Sequence, residues 1–546
     1  MMNRKLFILS SILIFSMSMT AKVKSRHGRP KVTTTVETTT DDYKDNTRRK
    51  TGSQSSAPLT SLGSPKVPVI LVQFPDKKFV SGLGTYTNSN GETVNRECTT
   101  AEDATVVVEF FSKFCNGEGG ADAYYKGAGS YGAIREYFRD QSAGRFTPEF
   151  EVLGPVTLDN GYAYYGANNS SGNDKNKSAF YRDAIAKIVT NDIDWTRFDN
   201  DQNGVVDMAF FIYAGPGENG DGGEDSLWPQ EQVNGGTQGG ISFGCYACTN
   251  ETFYGTTDGI GAMVHELGHA MGLPDFYDTN YVAYGMDYWD IMDSGCYCSE
   301  SYIPCNFTTY ERDFMGWTPL VTLTPGVSQN LTLYPTSYDG QGYKIVNPEN
   351  ENEYYVIENR QNISWDLSVG NGTTIDKFHG LMVTHVDYQF SRWSANTVNT
   401  ATSHQRMTII PADGAVSSFM YVDTEEKKEE YLLSVAGDLF PGSKQVTELV
   451  GEQAYVYTST GDTPHQMNQP LTNIQEHEDG TITLTFCGDE TAVASLFANT
   501  EENVPVYNLV GNTVAYTTIK YGKPTHLPST AGIYIVKGKK YMTIGR

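Results

Sequence analysis

Apolar residues change their arrangement along the chain near Trp317. Before it they form short continuous runs and stretches at helical spacing. Val67–Phe74 (VPVILVQF) is apolar and β-branched, bounded by proline and by Pro75-Asp76, which reads as a buried strand. Tyr131–Phe146 carries apolar residues at helical spacing and exits on glycine, and Ser178–Val189 reads as a second helix. Val205–Gly215 is a further buried strand, and Gly259–Gly272 is a helix closed by glycine. Strand, helix, strand, helix predicts an α/β (α+β) layered fold over residues 66–318. Beyond it, short alternating runs such as NLTLYP, EYYVIEN, GLMVTHVDY and TITLTFC are separated by turn residues. That texture predicts an all-β sandwich over 319–488. Residues 489–546 read as a small separate β module.

The N-terminus breaks this pattern. Asn3-Arg4-Lys5 precedes an apolar stretch, Leu6–Met19, that ends at Thr20-Ala21. Basic start, apolar middle and small residue at the cut predict a signal peptide over 1–21, too short to span a bilayer. Residues 22–65 are polar without a hydrophobic period and read as a linker or short pro-segment. Arg48-Arg49-Lys50 within it is open to a trypsin-like protease. No later run is long enough to cross a membrane, so an exported chain without a membrane span, and a monomer, is expected.

The 546-residue chain has a net charge of −25, which argues against nucleic acid as a partner. Hydrophobic residues, at 39%, suffice for a real core. Eight cysteines in an exported chain permit disulfides. Cys245/Cys248 and Cys296/Cys298 invite a structural zinc, but the spacing between the pairs is wrong for a ribbon. Disulfides or free buried thiols are the expectation.

The chemistry concentrates in HELGHAMGLPD, residues 265–275. On a helix, His265 and His269 project from one face a turn apart and can share one zinc ion. Glu266 points round the helix, which suits a base acting on water at the metal. Gly272 can take the left-handed conformation that reverses the chain. The reversal brings Asp275 back as third ligand and leaves one position open, as catalysis needs. Asp278, Glu300 and Glu311 are the competing carboxylates. A second motif, DNDQNGVVD, places oxygen ligands at Asp199, Asp201, Asn203, the Val205 carbonyl and Asp207, with Gly204 at the turn. Hard oxygen donors at this spacing suit calcium. Phe210 stands where an EF-hand has Glu, and Glu218, Glu224 or Asp225 are candidates for the missing ligand.

H-E-x-x-H-x-x-G-x-x-D resembles metzincin-like peptidases whose third ligand is Asp. HELGHAMGLPDFYDT is closely similar to the immune inhibitor A family of bacterial secreted metallopeptidases. VPVILVQFPDKKF, SYGAIREYFRDQSAGRF, TTYERDFMGW and EYYVIENRQNISWD extend the resemblance over roughly residues 66–488. DYWDIMDSG resembles the family's Met-turn, which makes Met292 the floor beneath the metal. The resemblance also implies a structural calcium at the Asp199 loop, fixing a strand at the border of the cleft. Metzincins often place a tyrosine after the Met-turn to steady the oxyanion, and Tyr297 or Tyr302 would take that part, although Tyr297 lies beyond the usual spacing. The last module, with PVYNLVGNTV and LPSTAGIYIVKGKK, resembles the C-terminal sorting domain of type IX secretion substrates. A secreted or surface-held zinc endopeptidase acting on proteins or peptides is therefore expected, with the type IX machinery as partner. Two rival readings are a catalytically silent adhesion protein on a peptidase scaffold, and a carbohydrate-binding sandwich using Trp365 and Trp393 as exposed aromatics.

Overall fold

The computed structural model describes residues 57–118, 130–189, 193–338, 340–369, 378–416, 424–458 and 461–487, together with most of 503–543. The expected signal peptide, Arg48-Arg49-Lys50 and the linker up to residue 56 lie outside the described residues. The first region is built from β1 (Lys66–Gln73), α1 (Ala101–Asn116), α2 (Ile134–Gln141), β2 (Glu149–Thr157), α3 (Lys177–Ile188), β3 (Val206–Pro216), β4 (Gln230–Gln238), β5 (Ile241–Phe253), α4 (Gly261–Ala270) and α5 (Thr309–Phe314).

The main sheet runs β2-β1-β3-β5-β4, with Thr256–Thr257 folded back on β5. Neighbours are parallel except at the edge, where β4 pairs antiparallel with β5. Helices cover both faces, so β1 is apolar at nearly every position instead of alternating. Val67, Val69 and Leu71 enter one core with α1, α2 and α4. Ile70, Val72 and Phe74 enter the other with α3.

Helix α1 has no counterpart in the hydrophobic pattern read above. Its Val106-Val107-Val108 run is β-branched and disfavours a helix locally. A capping box overrides this: Thr100 Oγ1 accepts from Asp103 N (3.1 Å) and Asp103 Oδ2 accepts from Thr100 N (3.0 Å). Val107, Phe111 and Phe114 then bury one face. Helix α2 is shorter than the Tyr131–Phe146 pattern because Ala143 and Gly144 adopt left-handed φ of 51° and 79°.

Two further sheets follow. β6 (Gln329–Leu333), β7 (Tyr343–Asn347), β8 (Asn350–Arg360), β9 (Gly380–Asp387), β10 (Met407–Ile409), β11 (Leu471–Glu476) and β12 (Ile482–Phe486) form a sandwich. One sheet is β10-β9-β8-β7 with Val321–Thr322 on its edge, and the other is β6-β12-β11. Ile345, Tyr355, Ile357, Leu381 and Val383 pack against Leu333, Leu471, Ile482, Leu484 and Phe486 between them. The outer face of the larger sheet is also buried. Tyr354, Val356, Met382 and Met407 share one core with Trp289, Tyr310, Trp317 and the helices of the first region. The core is thus continuous across residue 318.

Trp365 and Trp393 belong to that junction, at 0% and 3% exposure. The expectation of exposed sugar-binding aromatics is overturned: Trp365 packs on Tyr137 and donates its indole N–H to Asp140 (2.9 Å), and Trp393 packs on Phe276. Arg360 sits beside them, bidentate on Asp366 at 2.8 and 2.6 Å and donating to the Trp289 carbonyl. The last module is a separate five-stranded sheet with its own cluster of Val506, Tyr534 and Val536.

All eight cysteines are free thiols, and seven are buried. Cys245 and Cys248 lie three apart on β5 and face opposite cores, so they cannot clamp one metal ion. No helix among the described residues is long and apolar enough to cross a membrane.

Candidate metal centre

Helix α4 is largely buried, packs against β5 and the edge strand β4, and presents His265 and His269 on one face. Its rings meet edge-to-face with centroids 4.7 Å apart. The helix stops where Gly272 adopts φ 99°, with its N–H on the His269 carbonyl (2.8 Å) and Leu273 N–H on Gly268 (3.1 Å). This left-handed reversal is open to glycine and strained for other residues. It returns the chain so that Asp275 Oδ1 lies 3.2 Å from both His265 Nε2 and His269 Nε2.

The other ring nitrogens fix the tautomers. His265 Nδ1 faces the Ile291 carbonyl at 2.9 Å, and His269 Nδ1 faces the Leu273 carbonyl at 2.8 Å. A carbonyl only accepts, so each Nδ1 carries the hydrogen and each Nε2 is turned toward Asp275. Three donors held about 2.0–2.1 Å from a common tetrahedral centre are about 3.3 Å apart. The two separations of 3.2 Å fit that requirement. Asp275 Oδ1 is buried with no hydrogen-bond donor of its own, another mark of a site built for a cation.

Charge follows geometry. Burial opposes ionisation of all three groups, yet the Asp275 carboxyl is held well below the usual carboxylate range by the His269 and His265 rings. Burial likewise disfavours a charged His269, but Asp275 outweighs it and raises the ring to about 10. Glu266, one residue along, is 6% exposed and its Oε2 has no partner. Burial pushes its carboxyl up to about 7, against the pull of His265 and His269.

These groups open into a cavity of about 600 Å³. Tyr277, Tyr281, Tyr297, Trp228, Glu231 of β4 and Asn396 line it. Tyr297 is therefore at the site, its hydroxyl kept protonated by burial. Tyr302 is not: its hydroxyl donates to the Thr257 carbonyl outside the cavity. Met292 is fully buried against Gly268, where a Cβ would fall 2.5 Å from its sulfur. Its carbonyl accepts from Phe276 N–H (2.9 Å), tying the Met-turn to the ligand turn. The competing carboxylates are used elsewhere. Asp278 accepts from the N–H groups of Asn280, Val282 and Ala283. Glu311 closes the capping box of α5, and Glu300 lies outside the cavity.

Glu231, Tyr277, Tyr281 and Asn396 were not anticipated from sequence. Glu231 Oε1 is buried without a partner, and its carboxyl is raised by burial while His269 opposes. Only alternation along the β4 edge could have marked it, and the glycines there obscure that pattern.

The second motif also assembles. Carboxylate oxygens of Asp199, Asp201 and Asp207 lie within 4.8 Å of one another. Asp199 accepts from Asn203 N–H (2.9 Å) and Gly204 N–H (2.8 Å), which shapes the loop. Burial, with Asp201 and Asp199 nearby, raises Asp207 to about 6 although Asn200 donates to it. Two expectations need correction. Glu218, Glu224 and Asp225 lie beyond the far end of the 11-residue β3, roughly 30 Å away at ~3.3 Å per residue, and cannot complete this site. The strand that the loop precedes is central in the sheet; the cleft is bordered by β4.

Comparison with known proteins agrees with this geometry. Residues 56–318 match the model of the immune inhibitor A peptidase M6 catalytic domain. The chain is 27% identical over 214 residues to immune inhibitor A of Bacillus thuringiensis subsp. alesti, covering 33% of this chain and 31% of that protein. It is 27% identical over 215 residues to the pre-pro-metalloprotease PrtV of Vibrio cholerae serotype O1 (strain M66-2), covering 34% of this chain and 23% of that protein. The match thus spans less than a third of either relative's length. Residues 56–318, which hold the whole His265–His269–Asp275 cluster, are thus similar to the catalytic domain of the immune inhibitor A (M6) peptidases.

Proposed function

We propose that this protein is a zinc-dependent endopeptidase acting on extracellular proteins or peptides. The observation that carries the proposal is the Nε2, Nε2, Oδ1 cluster at tetrahedral separations, with the unpartnered Glu266 carboxylate beside it in one cavity. His265, His269 and Asp275 hold the ion. Zinc, when bound, supplies Lewis acidity, which makes a water acidic and polarises a carbonyl.

The remaining steps fall to side chains. Glu266 takes the proton of the attacking water on its carboxylate and returns it to the nitrogen of the departing amine. Burial suits it to both tasks, because its proton affinity is brought near neutral pH. Tyr297 stays protonated and its hydroxyl donates to the oxyanion. The outer edge of β4 offers backbone groups to a peptide lying extended along it. Met292 and Gly272 shape the site without touching substrate.

The Asp199–Asp207 loop is proposed as a calcium site through Asp199, Asp201, Asn203, the Val205 carbonyl and Asp207, supported by its three converging carboxylates. Its role is to order the entry into β3. Export through the N-terminal signal and type IX sorting through the tail are proposed from the sequence; the tail's compact β module is consistent with them.

Casein hydrolysis by the purified chain, by Glu266→Ala, and by chelated protein tests the reading. Cleavage by wild type alone, lost on chelation and restored by zinc, is expected. Equal cleavage by wild type and Glu266→Ala would overturn it.

A further inference from the structure

Asp275 does not stand alone against the two histidines. Asn396 Nδ2 donates to Asp275 Oδ2 at 2.6 Å, and Asp275 N–H donates to Asn396 Oδ1 at 2.7 Å. The two residues are 121 positions apart, and Asn396 lies well beyond the catalytic region that ends at 318. It sits just after a short helix, Phe390–Ser394, in the connection between β9 and β10.

We infer that Asn396 is a positioning residue for the metal site: it fixes the Asp275 carboxylate so that Oδ1, and not Oδ2, is offered to the ion. The reciprocal pair settles both the ligand's backbone and its side chain. With Oδ2 occupied by an amide donor, the carboxylate plane cannot turn, and Oδ1 stays between the two imidazoles. A carboxylate without such a partner would otherwise rotate, and the entropy of fixing it would fall on metal binding.

The surroundings show a built contact. Asn396 has φ 53°, a left-handed conformation that asparagine tolerates better than most residues. Its own carbonyl accepts from Thr279 Oγ1 (3.4 Å). Asn399 Nδ2 donates to the Phe276 carbonyl (2.7 Å), and Trp393 packs on the Phe276 ring. The β9–β10 connection therefore grips the ligand turn at Asp275 and just after it. Within this structure the third ligand is delivered by one domain and oriented by the next.

The inference rests on the proposed zinc site, and its test separates the two. The full chain is compared with Asn396→Gly, which accepts φ 53° without strain, and with Asn396→Asp, which keeps the shape but removes the amide donor. Zinc affinity is read by competition with a chromophoric chelator, and stability by thermal unfolding of the metal-free proteins. Both variants are expected to bind zinc about 10- to 100-fold more weakly, as for other groups that orient a metal ligand. Residual kcat should follow zinc occupancy, with KM unchanged. If the variants bind zinc as tightly as wild type and only their metal-free stability falls, Asn396 is a packing residue and the inference is overturned. If wild type itself binds no zinc, the underlying site reading fails, a different result from loss in the variants alone.

Discussion

Glu266 is the residue at which activity and stability should part most clearly. Its carboxyl is buried, its Oε2 has no partner, and burial moves its proton affinity from 4.5 up to about 7. The sign follows directly. A carboxyl whose folded value lies above its unfolded value keeps its proton longer in the native state, so native stability falls as pH rises from about 4.5 to about 7. Above that window the penalty is complete. At ~1.4 kcal/mol per pH unit, it amounts to about 3 kcal/mol in the metal-free protein. Glu266→Gln has the same shape and no charge. Chelated Glu266→Gln should therefore resist urea better than chelated wild type at pH 8, by up to about 3 kcal/mol, and equal it near pH 4. Zinc favours the carboxylate, so its addition should shrink the difference. Peptidase activity of the same variant should fall by about 10²- to 10⁴-fold with zinc content intact. The assay is urea unfolding at the two pH values beside casein hydrolysis and metal analysis. A variant less stable than wild type at pH 8, or one retaining most of its activity, would refute the assignment of a desolvated, working base.

Four further outcomes are expected. Asp275 holds His269 protonated to about 10 and raises His265 as well, so zinc must displace protons from both rings; calorimetry near pH 7 in buffers of differing ionisation enthalpy should show their release, and no buffer dependence would contradict it. Calcium should raise the melting temperature of wild type, and Asp201→Ala should abolish the rise; a wild type indifferent to calcium would remove the second site. Glu231→Gln should lower kcat/KM for peptides with Lys or Arg beside the scissile bond about tenfold relative to Ala, since its buried Oε1 has no hydrogen-bond partner. Arg360→Met leaves Asp366 and Glu358 buried without their partner, and should cost about 3–5 kcal/mol by denaturant unfolding; a loss below ~1 kcal/mol would mean the junction is not held by this pair.

What could be read from the sequence was local. His265, His269, Gly272 and Asp275 lie within eleven consecutive residues, and helix pitch plus one left-handed turn brings them together. The same holds for Asp199, Asp201 and Asp207. β1 and β3 were legible because a strand buried on both faces is continuously apolar, and α3 because its apolar residues recur at helical spacing. Helix α1 was not, because its capping box competes with a valine run and the pattern shows only the latter. The expectation of a further ligand for the Asp199–Asp207 loop failed for a related reason: acidic residues 11 to 18 positions after Asp207 are near in sequence, but a strand lies between, and a strand separates its ends more than any other element.

Asn396 marks the limit of local reading. Nothing around SANTVN distinguishes it from an ordinary turn, since a left-handed asparagine after a short helix is a common way to reverse a chain. Its significance comes from a contact over 121 positions, created by packing of the β8–β9 face onto Trp289, Tyr310 and Trp317. That packing also explains why Trp365 and Trp393 were misread as surface aromatics: each sits in a short helix between strands, and the packing of the sandwich against the first region buries both. The histidines can be placed by one helix, whereas the orientation of the carboxylate that completes them depends on two domains sharing one core. Loss of the junction should therefore disturb Asp275 before it disturbs His265 or His269, whose Nδ1 bonds go to Ile291 and Leu273 within the catalytic region itself.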